Sequence, residues 1–196
     1  MELEKIYSDK SDLIQEMLNV DQGGHVYGEY SDYRFHSVFQ PIFDRNMCIF
    51  GFECLARISS IEGYRIDPSL FFSSFESHSD CDIVYSLLCG KVHMMNFANS
   101  KFNHLRLFIN VAPSVFNLLS NNEPAIERFN ERLDYLNLTG SQIIYELLEF
   151  YEKDITGIVQ GKKALLEHGI QIAIDDYGSQ CSTKDRVIMV QPSYLK

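Results

Sequence analysis

Acidic and amide side chains recur at or near the ends of apolar segments in this sequence. The six positions are Glu53, Asn110, Glu146, Glu149, Asp175 and Asp176. Burying several anions together is costly unless their pKa values rise or a cation joins them. No His or Cys stands nearby at metal-ligand spacing, and oxygen-only ligands favour Mg²⁺ or Mn²⁺ over zinc. The pattern therefore predicts a divalent metal site, at which the adjacent Asp175 and Asp176 could reach a pair of ions.

Each of these residues taken alone has a simpler interpretation. A single Glu53 or Asn110 is more often a hydrogen-bonded structural group than a ligand. The adjacent pair Asp175 and Asp176, in "IQIAIDDYG", could equally cap a helix or form a turn. The metal site is favoured only because several predicted strands carry an acid or amide in the same way.

The apolar pattern predicts that strands and helices alternate along most of the chain. A helix is predicted over 11–20 and a loop over 21–34, and the first barrel strand begins at Phe35. Strands are predicted within 35–44, 49–58, 105–112, 142–150, 170–176 and 193–196, and helices within 67–99, 113–120, 123–136 and 154–169. A polar loop is predicted over 179–186, followed by a short apolar run. Such alternation gives a mainly parallel sheet, and in a barrel the carboxyl ends of the strands share one mouth.

Composition and charge restrict the class of protein. The chain has 196 residues, 45% of them hydrophobic, which is enough for one domain with a real core. Its net charge of −10 repels a nucleic-acid polymer, and no apolar stretch is long enough for membrane insertion. The five cysteines lack C-x-x-C spacing and indicate reduced thiols. These features predict a cytoplasmic protein.

Six short motifs, in this order, resemble the EAL domain family of cyclic-di-GMP phosphodiesterases. They are "FQPIFD", "ECLAR", "FINVA", "YELLE", "DDYG" and the final "LK". The family's Glu-Ala-Leu signature corresponds here to Glu53, Cys54 and Leu55, within an E-x-L-x-R pattern completed by Arg57. The resemblance runs from about Phe35 to the end of the chain. It implies a TIM-type (β/α) barrel that hydrolyses cyclic-di-GMP to the linear dinucleotide.

The resemblance also implies a role for each matching residue. The implied ligands of two Mg²⁺ or Mn²⁺ ions are Glu53, Asn110, Glu146, Asp175 and Asp176. Ca²⁺ is expected to permit ligand binding but to inhibit hydrolysis. Arg57, Gln40 and Leu55 would contact the ligand, and a guanidinium suits a phosphate. Lys196 matches the catalytic lysine, and Glu149 matches the glutamate that steadies the loop after the Asp pair.

Three features of the chain depart from the family pattern. Gln180 stands where the family's loop has its second glycine, and Cys54 replaces the signature alanine. The chain also ends on the predicted sixth of eight strands, before the family's last catalytic glutamate. We therefore expect an incomplete barrel over 35–196, preceded by an N-terminal helix and loop over 1–34. A homo-oligomer or another chain would complete it.

An alternative function follows from these departures. The chain could be a non-catalytic EAL-like module that binds cyclic-di-GMP or a protein partner without hydrolysis. The predicted metal ligands argue against this alternative, because a pure interaction module does not need so costly an anionic cluster.

Overall fold

The computed structural model describes residues 13–75, 80–120, 122–147, 155–174 and 184–195. Within these residues nine strands form one sheet. The strands are β1 (Leu18–Val20), β2 (Val26–Tyr30), β3 (Tyr33–Phe43), β4 (Ile49–Ser60), β5 (Arg65–Ile66), β6 (Arg106–Val111), β7 (Ile143–Leu147), β8 (Gln171–Ile174) and β9 (Tyr194–Leu195). The helices are α1 (Pro68–Ser73), α2 (Asp80–Ala98), α3 (Pro113–Ser120), α4 (Glu123–Tyr135), α5 (Ile155–Glu167) and α6 (Lys184–Val190).

The sheet is antiparallel at its N-terminal side and parallel in the rest. Its order is β1-β2-β3-β4-β6-β7-β8-β9, with β5 paired to β4. From β1 to β4, each strand is antiparallel to the next one in the chain. From β4 onwards along the sheet, through β6, β7, β8 and β9, neighbouring strands are parallel. The described strands do not close into a ring, and β3, β4, β6, β7, β8 and β9 occupy successive positions. This confirms the predicted incomplete TIM-type barrel with six strands.

The start of the chain differs from the prediction. Within the described part of the predicted helix over 11–20, residues 13–16 are helical, and β1 begins after Met17. The predicted loop over 21–34 is wrong for residues 26–30, which form β2, and for residues 33–34, which begin β3. Asp21 Oδ1 accepts hydrogen bonds from the backbone N–H groups of Gly23 and His25, at 2.8 and 2.9 Å, which closes the β1–β2 turn. Strands this short, on either side of a Gly-rich turn, show too little alternation of apolar and polar residues to be recognised. The sequence therefore did not predict this hairpin. The domain division at residue 35 stays a prediction.

Local signals explain where the helices begin and end. Asp67 caps α1 by accepting from the backbone N–H groups of Ser69 and Leu70, and Pro68 occupies the first turn. Gly169, at a φ of +82°, ends α5 as the sequence predicts, since this conformation costs glycine little. α6 extends into the predicted polar loop, so that prediction is wrong for 184–186.

Side chains alternate between two faces of the parallel strands. The outer face packs against the helices through Leu107 and Ile109 of β6 and Ile143 and Tyr145 of β7. The inner face carries a smaller apolar cluster that includes Phe108, Ile144 and Ala173. A third cluster joins the N-terminal strands to α1 and α2. Phe108 and Ile144 precede the polar residues Asn110 and Glu146 by two positions. Because side chains two residues apart on a strand share a face, these polar side chains face inward as well.

An aromatic cluster lies at α1. Phe71 is buried against Phe35, Tyr33 and Tyr85. Among the helices that the structure describes, none is long and apolar enough to cross a membrane.

Candidate functional site

Three predicted site residues share the inner face of neighbouring parallel strands. Asn110 and Glu146 lie near the carboxyl ends of β6 and β7, and Glu53 lies in the first half of β4. Along β6, Phe108 faces inward and Ile109 outward, so Asn110 faces inward again. The same alternation along β7 turns Glu146 inward beyond Ile144. On β4 it turns Glu53 inward, because Phe52 and Cys54 belong to the outer cluster.

The strand register brings these three side chains together. Asn110 of β6 lies directly beside Glu146 of β7. Glu53 of β4 pairs with Phe108, so Asn110 is one strand across and two residues along. Ideal sheet spacing puts such a diagonal pair of Cα atoms about 8 Å apart, within reach of long side chains. Two carboxylates and one amide oxygen therefore converge at one edge of the sheet.

The site is buried and strongly negative. Glu146 is 0% exposed and Glu53 9%. Burial raises the pKa of the Cys54 thiol well above its usual range, and the charges of Glu146 and Glu53 raise it further. Cys54 is thus an inert thiol on the outer face of β4, the face opposite to that of Glu53. The donor set consists of oxygens alone and includes two buried carboxyl groups, which suits a hard divalent cation.

The predicted ligand contacts occupy β3 and β4 beside this group. Gln40 lies directly opposite Glu53, Leu55 is opposite Val38, and Arg57 is opposite His36. Glu53, Leu55 and Arg57 follow one another at intervals of two residues and therefore face the same side. Gln40 and Arg57 are exposed, and Leu55 is half-buried. The structure thus brings Gln40 to the carboxylates and spreads Leu55 and Arg57 along the same face.

A cleft of about 690 Å³ adjoins the site. Leu55 and Arg57 of β4, Asn110 of β6 and Phe72 of α1 line it. Its other wall is a stripe of α2 that the sequence interpretation did not assign to the site. The stripe consists of Asp82, Ser86, Cys89, Gly90 and His93. Their spacing of three or four residues could have shown that they share one helix face.

His93 is a buried titratable group of that stripe. Its Nδ1 lies 2.6 Å from the Ser37 hydroxyl oxygen, and only 6% of the residue is exposed. Burial lowers the pKa of His93 from 6.5 to about 4, so the ring is neutral at neutral pH. The sequence interpretation did not assign His93 to the site.

Four predicted site residues lie outside the described residues. They are Glu149, Asp175, Asp176 and Lys196. Within the described ranges, no group of three or more His, Cys, Asp or Glu side chains is arranged to hold a metal. Glu53 and Glu146 supply two acidic donors, and Asn110 supplies an amide. Their assignment as metal ligands stays a prediction.

The fold and site together define a class of protein: an α/β barrel-type domain with an acidic centre at the carboxyl ends of its strands. The model of the EAL domain matches residues 28–196. The chain belongs to the EAL domain family. No curated protein matches it.

Solved structures of EAL proteins have the same fold. A standalone EAL protein from Vibrio cholerae, bound to cyclic-di-GMP, is 21% identical, with a TM-score of 0.66 over 85% of this chain and 67% of that one. Klebsiella pneumoniae BlrP1, with calcium and cyclic-di-GMP, is 21% identical, with a TM-score of 0.62 over 82% of this chain and 39% of that one. The EAL enzyme Bd1971, with cAMP and cyclic-di-GMP, is 18% identical, with a TM-score of 0.68 over 97% and 49%. This chain therefore spans between about two-fifths and two-thirds of the lengths of these three proteins.

Proposed function

We propose that the chain belongs to a metal-dependent phosphodiesterase that hydrolyses cyclic-di-GMP to the linear dinucleotide. The observation that supports this most directly is the placement of Glu53, Asn110 and Glu146. All three face inward on neighbouring parallel strands, and Asn110 and Glu146 lie near the carboxyl ends, where barrel enzymes bind their substrates. Membership of the EAL family and the cyclic-di-GMP complexes of its relatives supply the substrate class.

The donors at the mouth would hold two divalent ions, Mg²⁺ or Mn²⁺. Glu53, Asn110 and Glu146 would be joined by Asp175 and Asp176, which directly follow β8 in the sequence. When bound, such a metal pair activates water and neutralises charge at an in-line phosphoryl displacement. Relatives are solved with calcium and with manganese. Ca²⁺ would occupy the same ligands and slow the reaction.

The other side chains would position the dinucleotide. Arg57 is exposed, and its guanidinium is fixed by donating Nη1–H to the carbonyl of Ala56 at 2.9 Å. A forked, permanently charged donor of this kind binds a phosphate with defined geometry. Gln40, across from Glu53, would donate its amide N–H to the ligand, and Leu55 would supply an apolar contact. Lys196 and Glu149 would complete the catalytic group.

Calorimetric titration of cyclic-di-GMP into the chain with Ca²⁺, followed by product analysis with Mg²⁺ or Mn²⁺, tests the proposal. We expect binding with Ca²⁺ and linear dinucleotide with Mg²⁺ or Mn²⁺. Glu146→Gln keeps the size of the side chain but removes a buried charge. It should lower turnover by at least about 100-fold. Mutating a residue that only hydrogen-bonds to a metal ligand already lowers metal affinity or activity by about 10- to 100-fold. The matched control is Glu127→Gln, at an exposed carboxylate of α4, and should leave turnover unchanged.

The outcomes separate the two functional classes. Turnover that is lost in Glu146→Gln supports the enzyme. Binding without turnover would instead support a non-catalytic module that senses cyclic-di-GMP. Absence of binding would refute both and direct attention to protein partners. Light scattering during the same preparation would test the expectation that a second copy completes the barrel.

A further inference from the structure

A second cleft, of about 470 Å³, lies on the far part of the β3–β4 ribbon, next to β5. Its polar lining consists of His36, Arg57, Ser59 and Arg65, and Val38 and Ile66 form part of its apolar wall. The residues that line it in the described part of the chain include no acid. This is unusual for a protein with 27 acidic and 17 basic residues. The composition of the cleft therefore selects for a negatively charged occupant.

Strand register directs the polar side chains of this cleft to one face. His36 of β3 pairs with Arg57 of β4, and Ser59 of β4 pairs with Arg65 of β5. Paired residues share a face, and Arg57 and Ser59 are two residues apart on the same strand. Two guanidinium groups therefore lie on the same surface as the histidine ring and a hydroxyl group.

The two arginines of the cleft differ from a third arginine nearby. Arg34 lies on the same face, but Glu29 accepts a hydrogen bond from its Nε at 2.7 Å and neutralises it. Within the described ranges neither Arg57 nor Arg65 forms an ion pair. Arg57 donates to a backbone carbonyl, which carries no charge. The cleft thus retains a charge of about +2, because guanidinium groups stay protonated.

The histidine contributes a hydrogen-bonding group without further charge. The His36 ring stacks on Tyr27, with ring centroids 5.3 Å apart and planes 23° apart, which fixes its orientation. Burial, and then the charge of Arg34, lower the pKa of His36 below its usual range. The ring is therefore neutral near pH 7 and can donate one N–H to an oxyanion. Ser59 offers a hydroxyl for the same purpose.

This combination distinguishes between classes of anion. Arginine forks form paired hydrogen bonds to carboxylates and phosphates. A carboxylate carries a single negative charge, whereas a phosphomonoester carries about −1.5 to −2 near pH 7 and matches two arginines better. Val38 and Ile66 provide an apolar surface for an organic group attached to the phosphate.

The cleft is separate from the acidic mouth. Glu53 and Ser59 are six residues apart on β4, which corresponds to about 20 Å along the strand. Arg57 lines both clefts, whereas Arg65 lines only the second. We propose that the cleft of His36, Arg57, Ser59 and Arg65 binds the phosphomonoester group of a small organic molecule, with Arg57 shared between this cleft and the one that adjoins the acidic mouth.

Phenyl phosphate is a suitable probe, and benzoate is its carboxylate counterpart. Titrations are made by calorimetry and by NMR of the His36 ring and the Arg65 guanidinium, in EDTA and at constant ionic strength. The absence of metal makes the result independent of the proposed phosphodiesterase activity. We expect phenyl phosphate to bind and shift both signals. It should bind at least about tenfold more tightly than benzoate, because a second negative charge pairs with the second guanidinium.

Variants of Arg65 decide the assignment. Arg65→Gln should weaken phenyl phosphate binding by about tenfold or more, since a charge-assisted pair of hydrogen bonds is lost. Arg65→Lys keeps the charge but not the fork and should weaken binding to an intermediate extent. It also serves if Arg65→Gln does not fold. The control with the same loss of charge is Arg45→Gln, at the exposed turn between β3 and β4, and should bind as the original chain does.

Three results would overturn the proposal. One is the absence of binding up to about 10 mM phenyl phosphate, where a weak phosphate site would already be occupied. Another is equal affinity for benzoate. The third is unchanged affinity in both Arg65 variants, because the cleft would then not be the site.

Discussion

Acidification should destabilise the folded chain through His93. His93 lies on α2, and its ring is buried against β3, where its Nδ1 lies 2.6 Å from the hydroxyl oxygen of Ser37. Burial lowers its pKa from 6.5 in the unfolded chain to about 4 in the folded one. Between these two values the unfolded chain binds a proton that the folded chain excludes. Stability that is fully present above about pH 6.5 is therefore lost as the pH falls towards about 4.

The magnitude follows from the size of the shift. A difference of 6.5 against about 4 corresponds to a limit of about 3 kcal/mol in the free energy of unfolding, reached below pH 4. At about pH 5 the unfolded histidine is almost fully charged and the folded one is still mostly neutral. The loss there should be about 2 kcal/mol.

Urea unfolding at about pH 7.5 and about pH 5 measures this loss. Carboxylates titrate in the same range, so His93→Gln is measured beside the original chain and the difference between the two pH responses is taken. Gln cannot be protonated, and the variant should lack about 2 kcal/mol of the acid sensitivity. His25→Gln is the matched control, because the His25 side chain is 73% exposed, and it should respond to pH as the original chain does. An identical acid response of His93→Gln and the original chain would refute the reasoning.

Two further predictions concern packing and helix ends. A Cβ at residue 140 would lie 2.0 Å from the backbone oxygen of His168, whereas a Cβ at Gly90, inside α2, would meet nothing within 4 Å. Gly140→Ala should therefore lower the midpoint of thermal unfolding. Gly90→Ala should raise the free energy of unfolding by about 1 kcal/mol, because alanine has a higher helix propensity than glycine. A higher unfolding midpoint in Gly140→Ala would contradict the close contact. Lys162 Nζ donates to the last carbonyl of α6 at 3.1 Å and to the carbonyl after it. Lys162→Met should lower the free energy of unfolding, measured in urea, by about 1–3 kcal/mol. The control Lys163→Met, at an exposed lysine, should leave it almost unchanged. Equal effects of the two variants would show that these hydrogen bonds do not stabilise the chain.

Much of the architecture was predictable because its signals are local. The short apolar runs "LFINV" and "IIYEL" predicted two strands, and Gly169 marked the end of α5. The β1–β2 hairpin was not predicted, since its strands are short and its packing depends on distant residues. Gly28 illustrates this: a Cβ there would lie 2.8 Å from Leu88 of α2, a contact between residues 60 positions apart.

The candidate site was only partly predictable, for the same physical reason. The positions of Glu53, Asn110 and Glu146 within predicted strands are visible in the sequence, as are the motifs that resemble the EAL family. That Asn110 lies beside Glu146, and that α2 brings His93 to the adjoining cleft, depends on how separate segments pack.

The second cleft shows most clearly what each level determines. The sequence alone determined the number of charges, the E-x-L-x-R spacing and the class of fold, because these follow from residue order and local periodicity. It gave no reason to group Arg65 with Arg57 and His36. Only the pairing of β3, β4 and β5 put these three side chains on one face, and only the ion pair of Arg34 with Glu29 left the other two arginines as the cationic groups of the cleft. Register and pairing are long-range properties of the sheet, and the tertiary structure decided them.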